Sequence, residues 1–449
     1  MNKLIEQFNT EDTLLVISSY PPEGGEAAKQ NAVACYTQNL LKAYKDRKIV
    51  VLSEIVDRRG YYVKDNILVI HCWRYRSPKL YFDLLGALLR FDKPKQVLVQ
   101  FEFSMLGSFV HSALLPFILL LIKFFGKSVT VMMHQVVGDL ARLGRHLNLN
   151  KDSLKKVILN KGLRLFYYFV GKFSDAIIVH EERLKETLSE WVDLGKISVV
   201  SHGLYLERQK KGRDEIRKSL GLKNNDFALL MFGYITWYKG TDWIINKVKE
   251  IVKKHPELRL KLIVAGGKSA TLKNKSHYKT FLRKVENLVE KDNKQILMTG
   301  FVPDADVAKY YTAADLVVLP YRAMMSASGP LSFALRFNKP YLVSEALSYA
   351  FKNPDVRFVL SRLNLDSRDF VFSLQKNDFE EKITQIVKDR KILKRIGGVT
   401  SDLRVVRQWR NIVGEYNLVL TKASKRAVPA RIRGVVIPKL MRPLRLFVQ

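Results

Sequence analysis

Two stretches of the chain hold residue types that suit the binding of a phosphate anion. In LMFGYITWYKGTDWII (230–245) a strand-like run ends at Gly233, and Lys239 and Gly240 open an amphipathic helical pattern. A lysine in the first turn of a helix opposes the macrodipole by about 0.3–1 kcal/mol, a cost that a bound anion reverses. In LVVLPYRAMMSASGPLSFALRFNKP (316–340) a β-branched strand runs into small residues before a second helical pattern. Pro330 suits a first helical position, where its missing N–H would have no partner anyway. Ser326, Ser328 and Gly329 then offer hydroxyl and backbone donors, with Tyr321 and Arg322 beside them at the strand's end. A lysine reaching solvent and a serine N-cap with nothing bound are the plainer readings of the same residues.

The first half carries weaker signals. SSYPPEGGEAAKQ (18–30) follows the first strand and opens a helix, and Gly24 and Gly25 let the backbone approach a ligand closely. A simple turn reads the same way. No G-x-G-x-x-G occurs, and VAGGKSA is not a Walker loop, because Leu262 stands where its first glycine belongs. His134 ends the strand VTVMMHQ at its carboxyl edge, where open α/β sheets bind ligands. His180 and His202 occupy similar strand ends and read as structural residues, His202 lining the hinge. The 8 histidines and 2 cysteines show no metal-ligand spacing, so neither a metal nor a cofactor is expected.

The elements that must position these residues alternate from end to end. Strand-like runs fall at 14–18, 48–53, 67–72, 96–100, 128–134, 176–180 and 197–201, then at 228–233, 260–266, 295–300, 316–320 and 341–344. Helical patterns, among them 29–45, 152–172, 242–254 and 279–291, fill the gaps, the mark of parallel sheets with crossover helices. A charged, strand-free stretch (202–227) divides the chain near residue 205. The expected domains are 1–204, 205–400, a helix over 401–421 that crosses back to the first domain, and a basic tail over 422–449. That helix would place Leu403, Val406, Trp409, Ile412 and Val413 on one face.

A formal net charge of +33 over 449 residues calls for a partner of opposite sign: nucleic acid, an anionic membrane or a phosphorylated substrate. No helix-turn-helix, zinc-finger or RNA-binding signature supports nucleic acid. The first residues lack the apolar core of a signal peptide. LGSFVHSALLPFILLLIKFF (106–125) is nearly long enough to span a bilayer, but His111, Pro116 and Lys123 interrupt it. A buried or membrane-touching helix of an α/β domain is expected there.

Taken together, YPPEGG, MMHQ, FGYITWYKG, VAGG, TGFVPDADVAKYYTAADLVVLPY and SASGPLSFALRFNKP resemble the retaining glycosyltransferases of family 4, of the GT-B fold. The resemblance runs over roughly residues 12–420. It implies an α/β protein of two Rossmann-like doubly wound domains facing across a cleft. It also implies transfer of a sugar from a nucleotide-diphosphate sugar to a glycan or lipid-linked acceptor, with retention and without a metal. By the same likeness Lys239, Ser326, Ser328, Gly329, Pro330 and Leu331 would hold the donor diphosphate, with Gly24 and Gly25 reaching it from the first domain. His134 would lie by the reacting sugar, and Gly233, Phe301, Val302, Tyr321 and Arg322 on the base and sugar side. Many members carry two glutamates eight residues apart, where this chain has Ser326 and Ala334, and an arginine where it has Tyr234; a subgroup uses a Ser-x-Ser-Gly version. The implied setting is cytoplasmic, peripheral on the inner face of the cell membrane, with the 106–125 helix, the basic residues of 142–172 and the tail touching lipid. A non-catalytic scaffold of the same fold and a sugar-nucleotide epimerase are the rival readings.

Overall fold

The computed structural model describes residues 1–25, 31–56, 58–103, 105–107, 109–138, 154–206, 212–269, 272–289, 295–323 and 328–427. They divide into two units: Met1–Gly203 with the chain from Trp409 on, and Leu204–Gln408.

The first unit is built on the strands β1 (Leu14–Ile17), β2 (Ile49–Glu54), β3 (Gly60–Lys64), β4 (Ile67–Trp73), β5 (Gln96–Phe101), β6 (Ser128–Met133), β7 (Ala176–Val179) and β8 (Ile197–Val199). They form one sheet in the order β3-β4-β2-β1-β5-β6-β7-β8, parallel throughout except where β3 pairs antiparallel with β4. The inner strands are buried on both faces, which is why they read as unbroken apolar runs. Their side chains alternate between two cores: Leu14 and Val16 face one, Leu15 and Ile17 the other. Strand β3 escaped the sequence reading because GYYVK is half exposed at the sheet edge and lacks such a run.

Helix α1 (Ala32–Lys42) lies on the first core. Helices α2 (Leu80–Leu88), α4 (Leu115–Phe124) and α5 (Leu154–Phe173) lie on the second, with the short α3 (Phe109–Ala113) ahead of α4. The stretch expected as one helix over 106–125 is therefore two. Pro116 falls in the first turn of α4, where its missing N–H is harmless and where it ends the preceding helix. Among the described residues no helix is long and apolar enough to cross a membrane.

The second unit holds β9 (Phe227–Phe232), β10 (Leu260–Ala265), β11 (Ile296–Gly300), β12 (Leu316–Leu319), β13 (Tyr341–Ser344) and β14 (Val371–Phe372). They form one parallel sheet in the order β11-β10-β9-β12-β13-β14. Strands β9 and β12 are neighbours, with Leu230 opposite Val317, so the loops leaving their carboxyl ends emerge side by side. Those loops lead into α6 (Thr241–Lys254) and α7 (Gly329–Arg336).

The helix expected over 401–421 is also two, α8 (Arg390–Val406) and α9 (Trp409–Arg426). Leu403 and Val406 pack in the second unit, whereas Trp409, Ile412 and Val413 pack in the first. The apolar stripe that reads as one helix face thus serves two separate cores. Trp409 lies against Gly203, where a side-chain Cβ would come within 2.4 Å of the indole.

Candidate functional site

In the second unit the site is assembled around Gly233. Its φ of 106° is a backbone conformation that disfavours side chains, and a Cβ there would stand 2.6 Å from Lys239 Nζ and 3.4 Å from Pro330 Cγ. The glycine leaves room for the lysine head and for the start of α7 to approach it. Lys239 itself lies in a 3-10 turn, Trp237–Lys239, and α6 begins two residues later at Thr241. It precedes the helix, where the sequence pattern had it opening the first turn. Gly240, at φ 72°, makes the bend and approaches the Pro320 carbonyl so closely that a Cβ would sit 2.0 Å from the oxygen.

Lys239 is only 8% exposed, and its Nζ makes no hydrogen bond or ion pair with a described residue. Desolvation lowers its pKa to about 8. The hydroxyls of Thr236 and Thr241, in the same loop, are buried and without a hydrogen-bond partner among the described residues. A buried, unpaired cation is costly, and a bound anion removes that cost.

Other expected residues have work of their own. The Arg322 guanidinium donates to Asp242 Oδ1 at 2.7 Å and to the Trp237 carbonyl at 2.8 Å, and lies over the Trp237 ring at 5.5 Å. Burial pushes the Asp242 carboxyl up, but Arg322 and then Lys284 outweigh it and hold its pKa below the usual range. Arg322 thus ties the end of β12 to the lysine loop through Asp242, an acid that carried no motif in the sequence. Ser328 is the N-cap of α7, accepting from the Leu331 amide at 3.3 Å and placed 3.3 Å from the Tyr321 hydroxyl. The Tyr311 hydroxyl donates to the Pro330 carbonyl at 3.0 Å and so anchors the helix start. Val302 packs in the core of its unit, while Phe301 is exposed. Ser326 lies outside the described residues.

In the first unit His134, His180 and His202 stand at the ends of consecutive parallel strands and surround Tyr36, with ring centroids 4.8, 5.0 and 5.0 Å away. Trp409 completes the ring cluster at 5.1 Å. The Tyr36 hydroxyl meets that of Tyr416 at 3.0 Å. His180 Nδ1 lies 3.1 Å from the Val200 carbonyl, and His180 Nε2 lies 3.3 Å from His134 Nδ1. His134 Nε2 lies 2.8 Å from Gln100 Oε1. Burial, reinforced by His202, lowers the pKa of His134 to about 3, so the ring is neutral with both nitrogens engaged.

Gly25 closes a turn on Pro22, residues 26–30 lie outside the described residues, and α1 runs from Ala32, capped by the Asn31 side chain. Gly24 and Gly25 line a cavity of about 610 Å³ with Cys35, Gln38, Lys42 and Tyr62, and none of the three histidines reaches it. Among the described residues no group of three or more His, Cys, Asp or Glu is arranged to hold a metal.

Residues 226–352, which contain Lys239 and all of α7, match the family model for glycosyl transferases group 1. A D-inositol 3-phosphate glycosyltransferase of Catenulispora acidiphila is 31% identical over 135 residues, 28% of this chain and 30% of that protein. An alpha-monoglucosyldiacylglycerol synthase of Streptococcus pneumoniae is 23% identical over 150 residues, 32% of each. The similarity thus spans about a third of these relatives' length. Among solved structures, Anabaena HepE in complex with UDP gives a TM-score of 0.59 at 13% identity, over 91% of this chain and 99% of that one. Sucrose-phosphate synthase from Thermosynechococcus elongatus gives 0.55 at 13% identity, over 92% and 98%. The chain therefore has the fold of the GT-B glycosyltransferases, two Rossmann-like α/β units, and its second unit carries a glycosyl transferases group 1 segment.

Proposed function

We propose that the protein is a retaining, metal-independent glycosyltransferase that moves a sugar from a nucleotide-diphosphate sugar to a glycan or lipid-linked acceptor. On this reading it acts in the synthesis of cell-surface polysaccharide or glycolipid, at the inner face of the membrane. The observation that carries the proposal is Lys239: a largely buried side chain whose ammonium lies over the Tyr238 ring and makes no hydrogen bond or ion pair with a described residue, near the capped start of α7 and the carboxyl ends of β9 and β12. As the glycosidic bond breaks, negative charge collects on the leaving diphosphate. A preorganised cation and helix N-terminus stabilise it there, and one such donor is typically worth roughly 2.7–4 kcal/mol. The names of the similar proteins agree with this chemistry: one relative forms a glucosyl lipid and one solved structure holds UDP.

Calorimetric titration with UDP, GDP and ADP, run in parallel on Lys239→Ala, tests the proposal. Micromolar binding of one diphosphate, lost in the variant, is the expected outcome. No binding at millimolar concentration favours a non-catalytic scaffold. That second reading is kept because Ala334, standing where many members carry a glutamate, is fully buried in the core of its unit.

A further inference from the structure

On one sheet face of the first unit, neighbouring helices turn apolar sides to solvent. Helices α3, α4 and α5 contain no Asp or Glu. Helices α4 and α5 pack together on that face, and Leu115, Ile118 and Ile122 of one and Leu163, Phe166 and Val170 of the other go into the core. Their opposite sides carry large apolar residues where an ordinary surface helix carries polar ones. Phe117 and Phe124 on α4 are 58% and 60% exposed, and Ile158 and Leu165 on α5 are 60% and 55% exposed. Both pairs are spaced seven residues apart, two helical turns, so each pair lies along one stripe. Lys161, Arg164 and Lys172 are exposed on the same acid-free helix. The patch continues toward α2, where the Tyr81 hydroxyl donates to the His111 carbonyl and Phe82 is exposed.

Contiguous apolar surface with a cationic rim marks a binding face. We infer that this face docks on an anionic lipid bilayer. Phe117, Phe124, Ile158 and Leu165 enter the boundary between headgroups and acyl chains, while Lys161, Arg164 and Lys172 meet lipid phosphates. Charge complementarity selects this occupant. A second copy of the chain would set the same cations against one another. A nucleic acid would use the cations and leave the phenylalanines in water. The inference concerns the first unit alone; it rests on the membrane placement of the proposed function, for which it names the surface, and does not depend on the donor-site reading.

Flotation of the full-length protein with phosphatidylglycerol–phosphatidylcholine vesicles, and with phosphatidylcholine alone, tests it, with no nucleotide present. The protein is expected to float with the anionic vesicles. Replacing both Phe117→Glu and Phe124→Glu lowers its partition coefficient by about tenfold or more. Both side chains are exposed, so circular dichroism and nucleoside diphosphate binding stay as in the parent, which separates this outcome from failure of the transferase reading. Three results overturn the inference. The parent protein fails to float. The double variant floats as well as the parent, so that the basic chain after α9 accounts for the binding. Or the parent is a dimer that the double variant converts to monomer, making the face a self-interface.

Discussion

Lys239 is the side chain on which the proposed chemistry of the second unit rests. Its pKa is lowered from the ordinary 10.5 to about 8 because burial disfavours the ammonium. The unfolded chain therefore holds this proton more tightly than the folded one between those values, and stability rises with pH across that window. Below about pH 8 the burial cost is present in full. At 1.36 kcal/mol per pKa unit it amounts to about 3 kcal/mol. Lys239→Met is accordingly expected to make the ligand-free protein about 1–3 kcal/mol more stable at pH 7, and no more stable above the ordinary lysine range. Urea denaturation at the two pH values checks this, and a less stable variant at pH 7 would contradict it. On the proposed function the same proton governs ligand binding: affinity of the parent for a nucleoside diphosphate is expected to fall as pH rises past about 8, whereas the variant is expected to bind weakly at every pH. Titrations across that range read out the difference.

Among the elements, α7 carries two roles that substitution can separate. Its cap is Ser328, whose side chain accepts from the Leu331 amide. Ser328→Ala removes that acceptor and is expected to cost about 1 kcal/mol of stability. Ser328→Asp keeps a good cap but sets a negative charge where the proposed function puts the diphosphate. It should fold about as stably as the parent and bind nucleotide at least about tenfold more weakly, because like charges repel at short range. Retained binding in the aspartate variant would place the phosphates elsewhere. Helix α9 depends on a different fit. Gly203→Ala would bring a Cβ within 2.4 Å of the Trp409 ring, and overpacking of this kind costs typically about 1–3 kcal/mol. Thermal unfolding of that variant measures the cost.

At the scale of the molecule, the described cores are separate. One cluster fills the second unit, and two fill the faces of the first unit's sheet. The units are expected to unfold in two calorimetric transitions, with nucleoside diphosphate raising only that of the second. At a ligand concentration 100 times Kd the stabilisation is about 2.7 kcal/mol. A single transition that moves as a whole would contradict this. The net charge of +33 acts at the same scale: it supplies a long-range attraction to anionic surfaces that weakens as salt rises.

The sequence by itself determined the repeating α/β order, all the long strands, and the glycine–lysine and serine–glycine–proline loops at the ends of β9 and β12. These rest on local physics: apolar runs buried on both faces, turn residues, and helix starts. The half-exposed β3 and the two-residue β14 lay below that signal, since short or edge strands carry no full apolar run. Only the tertiary structure decided which side chains were already engaged. Arg322 is paired with Asp242, 80 residues away in sequence, and Tyr36 meets Tyr416 across 380. Tertiary packing also made Val302 a core residue and filled both nitrogens of His134. It divided the 401–421 stripe between two cores as well. The reason is common to all of these: a periodic pattern states that a side chain is covered, while the identity of what covers it depends on residues the local sequence does not contain.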